Sequence, residues 1–359
     1  MKTHLLSEIE KNTQVFKNRI VMAPMTRSRA IQNLPNDLMQ QYYAQRSTAG
    51  LIITEGVAPS PNALGYARIP GIFNNEQAIG WKKITEAVHA DGGKIFIQLM
   101  HVGRIANKAN MPENTKILAP SAVNAHMDMW TDTLGMQKTE EPLEMSLEEI
   151  EKAKGEFIQA AKNAIEAGFD GVELHAANGY LLEQFLNPNS NIRNDKYGGS
   201  IENRSRFVLE VTEAVGHAIG FDKIGVRISP YSTFNTMALY KEIPETYIHV
   251  VTELAKLDIT YLHVIDYAAR ATEEGRNLIK TIRKEFGQLL ILNGGYTKER
   301  AENVLINNDA DLISFGSPFI ANPDLPYRIE NNIEWAKADP ATFYTADEKG
   351  YIDYPDYNI

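Results

Sequence analysis

Short apolar runs alternate with longer amphipathic stretches along most of the chain. Eight runs, at 19–23, 51–54, 95–99, 171–174, 224–228, 261–264, 289–292 and 312–315, are too short for helices and rich in Ile, Leu and Val. That pattern predicts strands covered on both faces. Helical spacing occupies 36–49, 76–90, 147–167, 201–219, 244–256, 275–286 and 298–307. Ser146 and Glu149 form a capping box at the start of the third of these, and Ser200 suits the N-cap of the fourth after a Gly198-Gly199 turn. Strands regularly followed by helices predict an α/β fold, a (β/α)8 TIM barrel. No Pro/Ser/Gly-rich linker divides it, so 1–359 reads as one domain. The stretch 107–142, which carries Met127, Met129 and Trp130, exceeds an ordinary βα loop and is expected to be a lid or small subdomain. The aromatic tail 343–355 is expected to pack against the barrel.

Barrels carry their chemistry where strands end. Those ends supply Ala23-Pro24-Met25-Thr26, Ala58, Gln98, His175, Arg227, Asn293-Gly294-Gly295 and Phe315-Gly316-Ser317. The richest segment is HAANGYLLEQ, 175–184. His175 and Asn178 are two donors able to hold a carbonyl oxygen as it gains negative charge, and Tyr180 is a phenol able to deliver a proton. The glycines after strands seven and eight suit a phosphate, whose oxygens backbone N–H groups can approach there, though tight turns use the same residues. Arg227 needs a counter-charge, either a reduced flavin ring or a barrel carboxylate such as Glu173. Gln98 could face the pyrimidine edge of a flavin or be a satisfied structural amide, and Thr26 could tune a flavin or shape a turn. His101 reads as structural. No carboxylate stands at ligand spacing to His101 or His175, so no metal site is expected.

Composition narrows the classes. Apolar residues make up 43% and charged residues 23%, ordinary for a globular protein. The net charge of −10 argues against nucleic acid or an anionic membrane as partner. With zero cysteines, disulfides, thiolate metal sites and iron–sulfur clusters are excluded. MKTHLLSEIEKNTQ lacks the apolar core of a signal peptide, and no run approaches the ~20 residues that span a bilayer. The expected location is cytoplasmic.

Specific blocks carry a resemblance. VMAPMTRSRA (21–30), YYAQRSTAGLIITEG (42–56), GWKKITEAVHADGGKIFIQLMHVGR (80–104), FDGVELHAANGYLLEQFLNPNSNIRNDKYGGSIENRSRF (169–207), FGSPFIANPDLP (315–326) and GYIDYP (350–355) resemble the Old Yellow Enzyme family of flavin-dependent ene-reductases, especially its bacterial N-ethylmaleimide and pentaerythritol tetranitrate reductase branch. The resemblance implies non-covalent FMN, contacted by Ala23, Pro24, Met25, Thr26, Ala58, Gln98, His175, Arg227, Asn293 and Phe315, with its phosphate on Gly294-Gly295 and Gly316-Ser317. NADPH or NADH would reduce it. An enone, maleimide, nitro compound or nitrate ester would lie over the ring, its oxygen held by His175 and Asn178. Hydride would pass from flavin N5 to the β-carbon, and Tyr180 would protonate the α-carbon. Tyr66, Met100 and Tyr351 would line the pocket, in a monomer or homodimer. Ser317 stands where the family usually has an Arg on the phosphate, so FMN should be held less tightly unless Lys298 or Arg300 substitutes. Met100 stands where many relatives have Trp, implying a roomier pocket. The alternatives are a flavin isomerase or a redox-silent FMN protein on the same fold. A flavin-free aldolase-like barrel would need a strand-end lysine, and Lys94 and Lys223 instead start strands.

Overall fold

In a computed structural model that describes residues 3–357, the eight apolar runs pair side by side, all parallel, and close into a barrel. Met1, Lys2, Asn358 and Ile359, which the 1–359 span and the N-terminal reading include, lie outside the described residues. The strands are β1 (Ile20–Met22), β2 (Leu51–Val57), β3 (Ile95–Leu99), β4 (Gly171–Ala176), β5 (Ile224–Ile228), β6 (Tyr261–Ile265), β7 (Leu289–Asn293) and β8 (Leu312–Phe315). Each pairs with the next, and β8 closes on β1. All seven anticipated helices form, their ends displaced by up to five residues from the expected bounds. Ser146 and Glu149 make the reciprocal capping box, and Ser200 accepts from the Asn203 N–H.

Alternation along the strands sorts the barrel interior into layers. Val21, Leu51, Ile53, Phe96, Tyr261, Leu289, Ile291 and Leu312 form an apolar floor. Phe16, from an N-terminal hairpin of Ile9–Lys11 and Gln14–Phe16, joins it. Two residues further along the strands the interior turns polar, with Gln98, Glu173, His263 and Ser314 buried. One more step reaches the mouth. There the register sets His175 beside Arg227, and Arg227 beside His263. The outward strand faces pack against the helices in one large core.

Two features go beyond the sequence reading, and one matches it. The 107–142 stretch contains a hairpin, Asp128–Thr131 with Gly135–Lys138, and part of a second pairing between Leu118–Ala119 and Leu143–Glu144. Short helices follow the strand ends at Leu181–Leu186, Ser317–Ala321 and Leu325–Asn331. The tail does pack on the barrel. Arg27 and Arg29, both buried, donate to the carbonyls of Thr342, Phe343, Asp347, Lys349 and Gly350.

Candidate active site

The strand ends open into a cavity of about 650 Å³. Pro24, Thr26, Gln98, Met100, His175, Asn178, Tyr180, Arg227 and Tyr66 line it, together with Met127, Met129, Trp130 and Met136 from the hairpin side and Phe234, Asn235 and Tyr344 from other loops. Residues separated by more than 300 positions therefore share one wall.

His175 ends β4. Burial, with Arg227 and His263 nearby, holds its imidazole well below the usual histidine range, so it is neutral and carries one N–H. Its Nδ1 is buried without a partner. Tyr180 stands edge-on to it at 5.0 Å between ring centroids. Burial raises the Tyr180 phenol, which stays protonated at neutral pH. Asn178 sits between them in the left-handed region at φ 58°, a conformation that asparagine tolerates better than most residues.

Arg227 ends β5. Its Nη2 donates to Asn293 Oδ1 at 3.1 Å, while its buried Nε has no partner. Glu173 is engaged elsewhere: His263 Nδ1 lies 2.9 Å from one carboxylate oxygen and the Gln98 amide donates to the other at 2.8 Å. Burial opposes ionisation of Glu173, yet His263, Arg227 and Gln98 together hold it below the ordinary carboxylate range. The carboxylate thus balances Arg227 through space and leaves its guanidinium edge free for an electron-rich ligand at the mouth. Gln98 serves both readings, bonded to Glu173 while also lining the cavity.

The three glycines at these strand ends behave differently. At Gly294 a Cβ would lie 2.5 Å from Asp266 Oδ1, so a side chain is sterically barred there. At Gly295, with φ 68°, a Cβ would meet nothing within 4 Å, and at Gly316 only Met25 Sδ at 3.7 Å. Backbone at Gly295 and Gly316 therefore borders open space that an anion could fill. Orphaned polar atoms on Arg227 and His175, together with this open glycine cradle, fit FMN. Ala23, Ala58 and Phe315 offer less: the Ala23 N–H is spent on the Phe315 carbonyl, and the Ala58 N–H on Pro70. Lys298, one of the two cations expected to compensate for Ser317, instead donates to the Ile329 carbonyl and to Asn332. Arg300 instead lies over the Tyr296 ring, 5.1 Å from its centroid.

Tyr351 requires a correction. It does not line the cavity but is fully buried, stacked on Tyr42 at 4.1 Å with the guanidinia of Arg27 and Arg29 at 5.2 and 4.7 Å from its ring. Cation–π and stacking contacts make it the anchor of the tail. Tyr344, seven residues earlier, lines the cavity. Asn235, Phe234 and Arg68 also line it and were not anticipated. His101 is structural: it is buried, its Nδ1 accepts from the Gly103 N–H, and burial lowers it to about 3. Among the described residues, no group of three or more His, Asp or Glu side chains could hold a metal ion.

Comparison with known proteins agrees with this geometry. The NADH:flavin oxidoreductase / NADH oxidase family model matches residues 8–335. The chain is 41% identical to 12-oxophytodienoate reductase 7 of Oryza sativa subsp. japonica, covering 95% of this chain and 91% of the relative. It is 40% identical to the chanoclavine-I aldehyde reductase of Penicillium roqueforti, covering 98% and 96%. Among solved structures, morphinone reductase in complex with tetrahydroNAD superposes with a TM-score of 0.95 at 39% identity, covering 99% and 98%. The old yellow enzyme homologue of Zymomonas mobilis does so with a TM-score of 0.94 at 39% identity, covering 98% and 99%. The chain belongs to the NADH:flavin oxidoreductase family, the old yellow enzyme group, and is an FMN-dependent oxidoreductase with a nicotinamide reductant.

Proposed function

We propose that this enzyme is an NAD(P)H-dependent ene-reductase that saturates the C=C bond of small α,β-unsaturated carbonyl or nitro compounds, with maleimides and nitrate esters as further substrates. One observation carries the reading: a neutral imidazole, a carboxamide and a protonated phenol face the same cavity within one six-residue span of chain. The relatives' names, reductases of 12-oxophytodienoate, chanoclavine-I aldehyde and morphinone, support a small organic substrate carrying a carbonyl group.

When bound, FMN would supply the hydride chemistry, carrying reducing equivalents from NADPH or NADH to the substrate. Arg227, Gln98, Thr26 and Pro24 would hold its ring, and the backbone around Gly295 and Gly316 its phosphate. His175 and Asn178 donate to the substrate oxygen and draw electron density from the double bond; losing one such donor typically costs 10²–10³ in rate. Because His175 is neutral, it polarises without delivering a proton. Tyr180 is the proton source for the α-carbon. Met100, Tyr66, Tyr344 and the hairpin side chains exclude water from the reacting carbons. Among the described residues no helix is long and apolar enough to cross a membrane; we place the enzyme in the cytoplasm. An isomerase or redox-silent protein fits less well, since such a protein has no need of the phenol.

The test is product analysis in D2O with NADPH and 2-cyclohexenone. Cyclohexanone carrying one deuterium, at the α-carbon, supports the reading. Unchanged enone, or isomerised product without net reduction, overturns it.

A further inference from the structure

Building on that function, we propose that Glu183 is a positioning residue for the catalytic loop, its ionised carboxylate holding Asn178 and Tyr180 in register over the cavity. The Asn178-Gly179 segment runs through two consecutive left-handed residues, at φ 58° and 72°. Side chains pin all four of its backbone polar atoms. The Asn178 N–H donates to Ser229 Oγ at 2.8 Å, and the Asn178 carbonyl accepts from Asn235 at 2.7 Å. The Gly179 N–H donates to Glu183 Oε2 at 2.5 Å, and the Gly179 carbonyl accepts from Gln184 at 2.7 Å. Ser229 in turn donates to Glu183 Oε1 at 2.7 Å, where the Tyr247 hydroxyl also donates at 2.5 Å. Glu183 therefore grips the loop at two points, directly at Gly179 and through Ser229 at Asn178.

Three donors converge on this one carboxyl group. A carboxylate accepts all three; a protonated carboxyl is a poorer acceptor at one oxygen and brings a hydrogen of its own that must find an acceptor among three donors. No cation pairs with it among the described residues. Facing it are Tyr247 from one helix, Ser229 from the loop after β5 and the Gly179 N–H, with Tyr240 close by and Arg204 beyond Tyr240. Burial raises the carboxyl to about 7, against the pull of those three donors. Loop geometry is thereby tied to a carboxyl raised to about 7 that does not itself line the cavity.

Alkene turnover should lose activity as pH falls through about 7. Glu183→Gln presents an amide donor to three donors and should lower kcat for 2-cyclohexenone roughly 10²-fold, as displacements of about 1 Å do, with FMN content retained and the acid limb gone. Tyr247→Phe provides a second, milder test. It removes a hydrogen bond that favours the charged form, so the acid limb should move up by about one pH unit while the alkaline plateau stays. A wild-type rate independent of pH from 6 to 8, or an acid limb unmoved in Tyr247→Phe, overturns the proposal. If the wild type yields no saturated ketone at any pH, the ene-reductase reading itself fails.

Discussion

The Tyr180 hydroxyl donates to the Tyr66 hydroxyl at 3.3 Å, with the two rings edge-to-face and 6.2 Å between centroids. The long hydrogen bond leaves Tyr180 able to redirect its proton toward a substrate without breaking a strong contact. Tyr180→Phe should lower net alkene reduction by roughly 10²–10⁴-fold while flavin reduction by NADPH persists. Tyr66→Phe should cost far less. Stopped-flow measurement of the two half-reactions separates these outcomes, and equal losses in both variants contradict the assignment of Tyr180 as donor.

If FMN binds as the resemblance implies, its phosphate would meet Ser317 rather than a cationic side chain, and Lys298 is tied to Ile329 and Asn332. Ser317→Arg should tighten FMN by roughly 10-fold or more, the value of one charge-assisted hydrogen bond. Fluorescence titration of the apoprotein measures it. An unchanged dissociation constant would show that the backbone donors already suffice.

Met100 packs onto Gly56, where an added Cβ would lie 2.5 Å from its sulfur. Met100→Trp puts a larger, stiffer group against the same glycine. The enantiomer ratio of a β-substituted enone should change, and bulky substrates should lose kcat/KM relative to small ones. Chiral chromatography decides; an unaltered ratio and range mean that Met100 does not shape the pocket.

Glu55 is buried near the Tyr43 hydroxyl and the Arg27 N–H, and burial raises its carboxyl from 4.5 to about 7. A carboxyl raised in the folded state binds its proton more tightly there than in the unfolded chain. Its stabilisation is full below pH 4.5 and is lost as pH rises through about 7. The shift corresponds to at most about 3 kcal/mol. Glu55→Gln should flatten the fall in thermal midpoint between pH 5 and 8; a curve parallel to wild type contradicts this.

The barrel was legible because strands covered on both faces carry continuous apolar runs, and the loop of His175, Asn178 and Tyr180 because three chemically distinct groups fall within a few residues. The rest depends on distant partners. Tyr344 and Tyr351 are equivalent aromatics in sequence. Tyr42, Arg27 and Arg29, all more than 300 positions away, bury Tyr351. Glu183 reads as an ordinary helical glutamate until Ser229 and Tyr247 close on it. The hairpin of Asp128–Thr131 and Gly135–Lys138 has short strands of mixed polarity, which leave no periodic signal.

In the proposed reaction, hydride passes in this cavity from a nicotinamide, by way of FMN, to an activated alkene. Anaerobic absorbance of the purified holoenzyme tests it most directly. NADPH should bleach the yellow flavin bands, and 2-cyclohexenone should then restore them with formation of cyclohexanone. A flavin that stays bleached after the enone, or a protein that binds no FMN, would contradict the account.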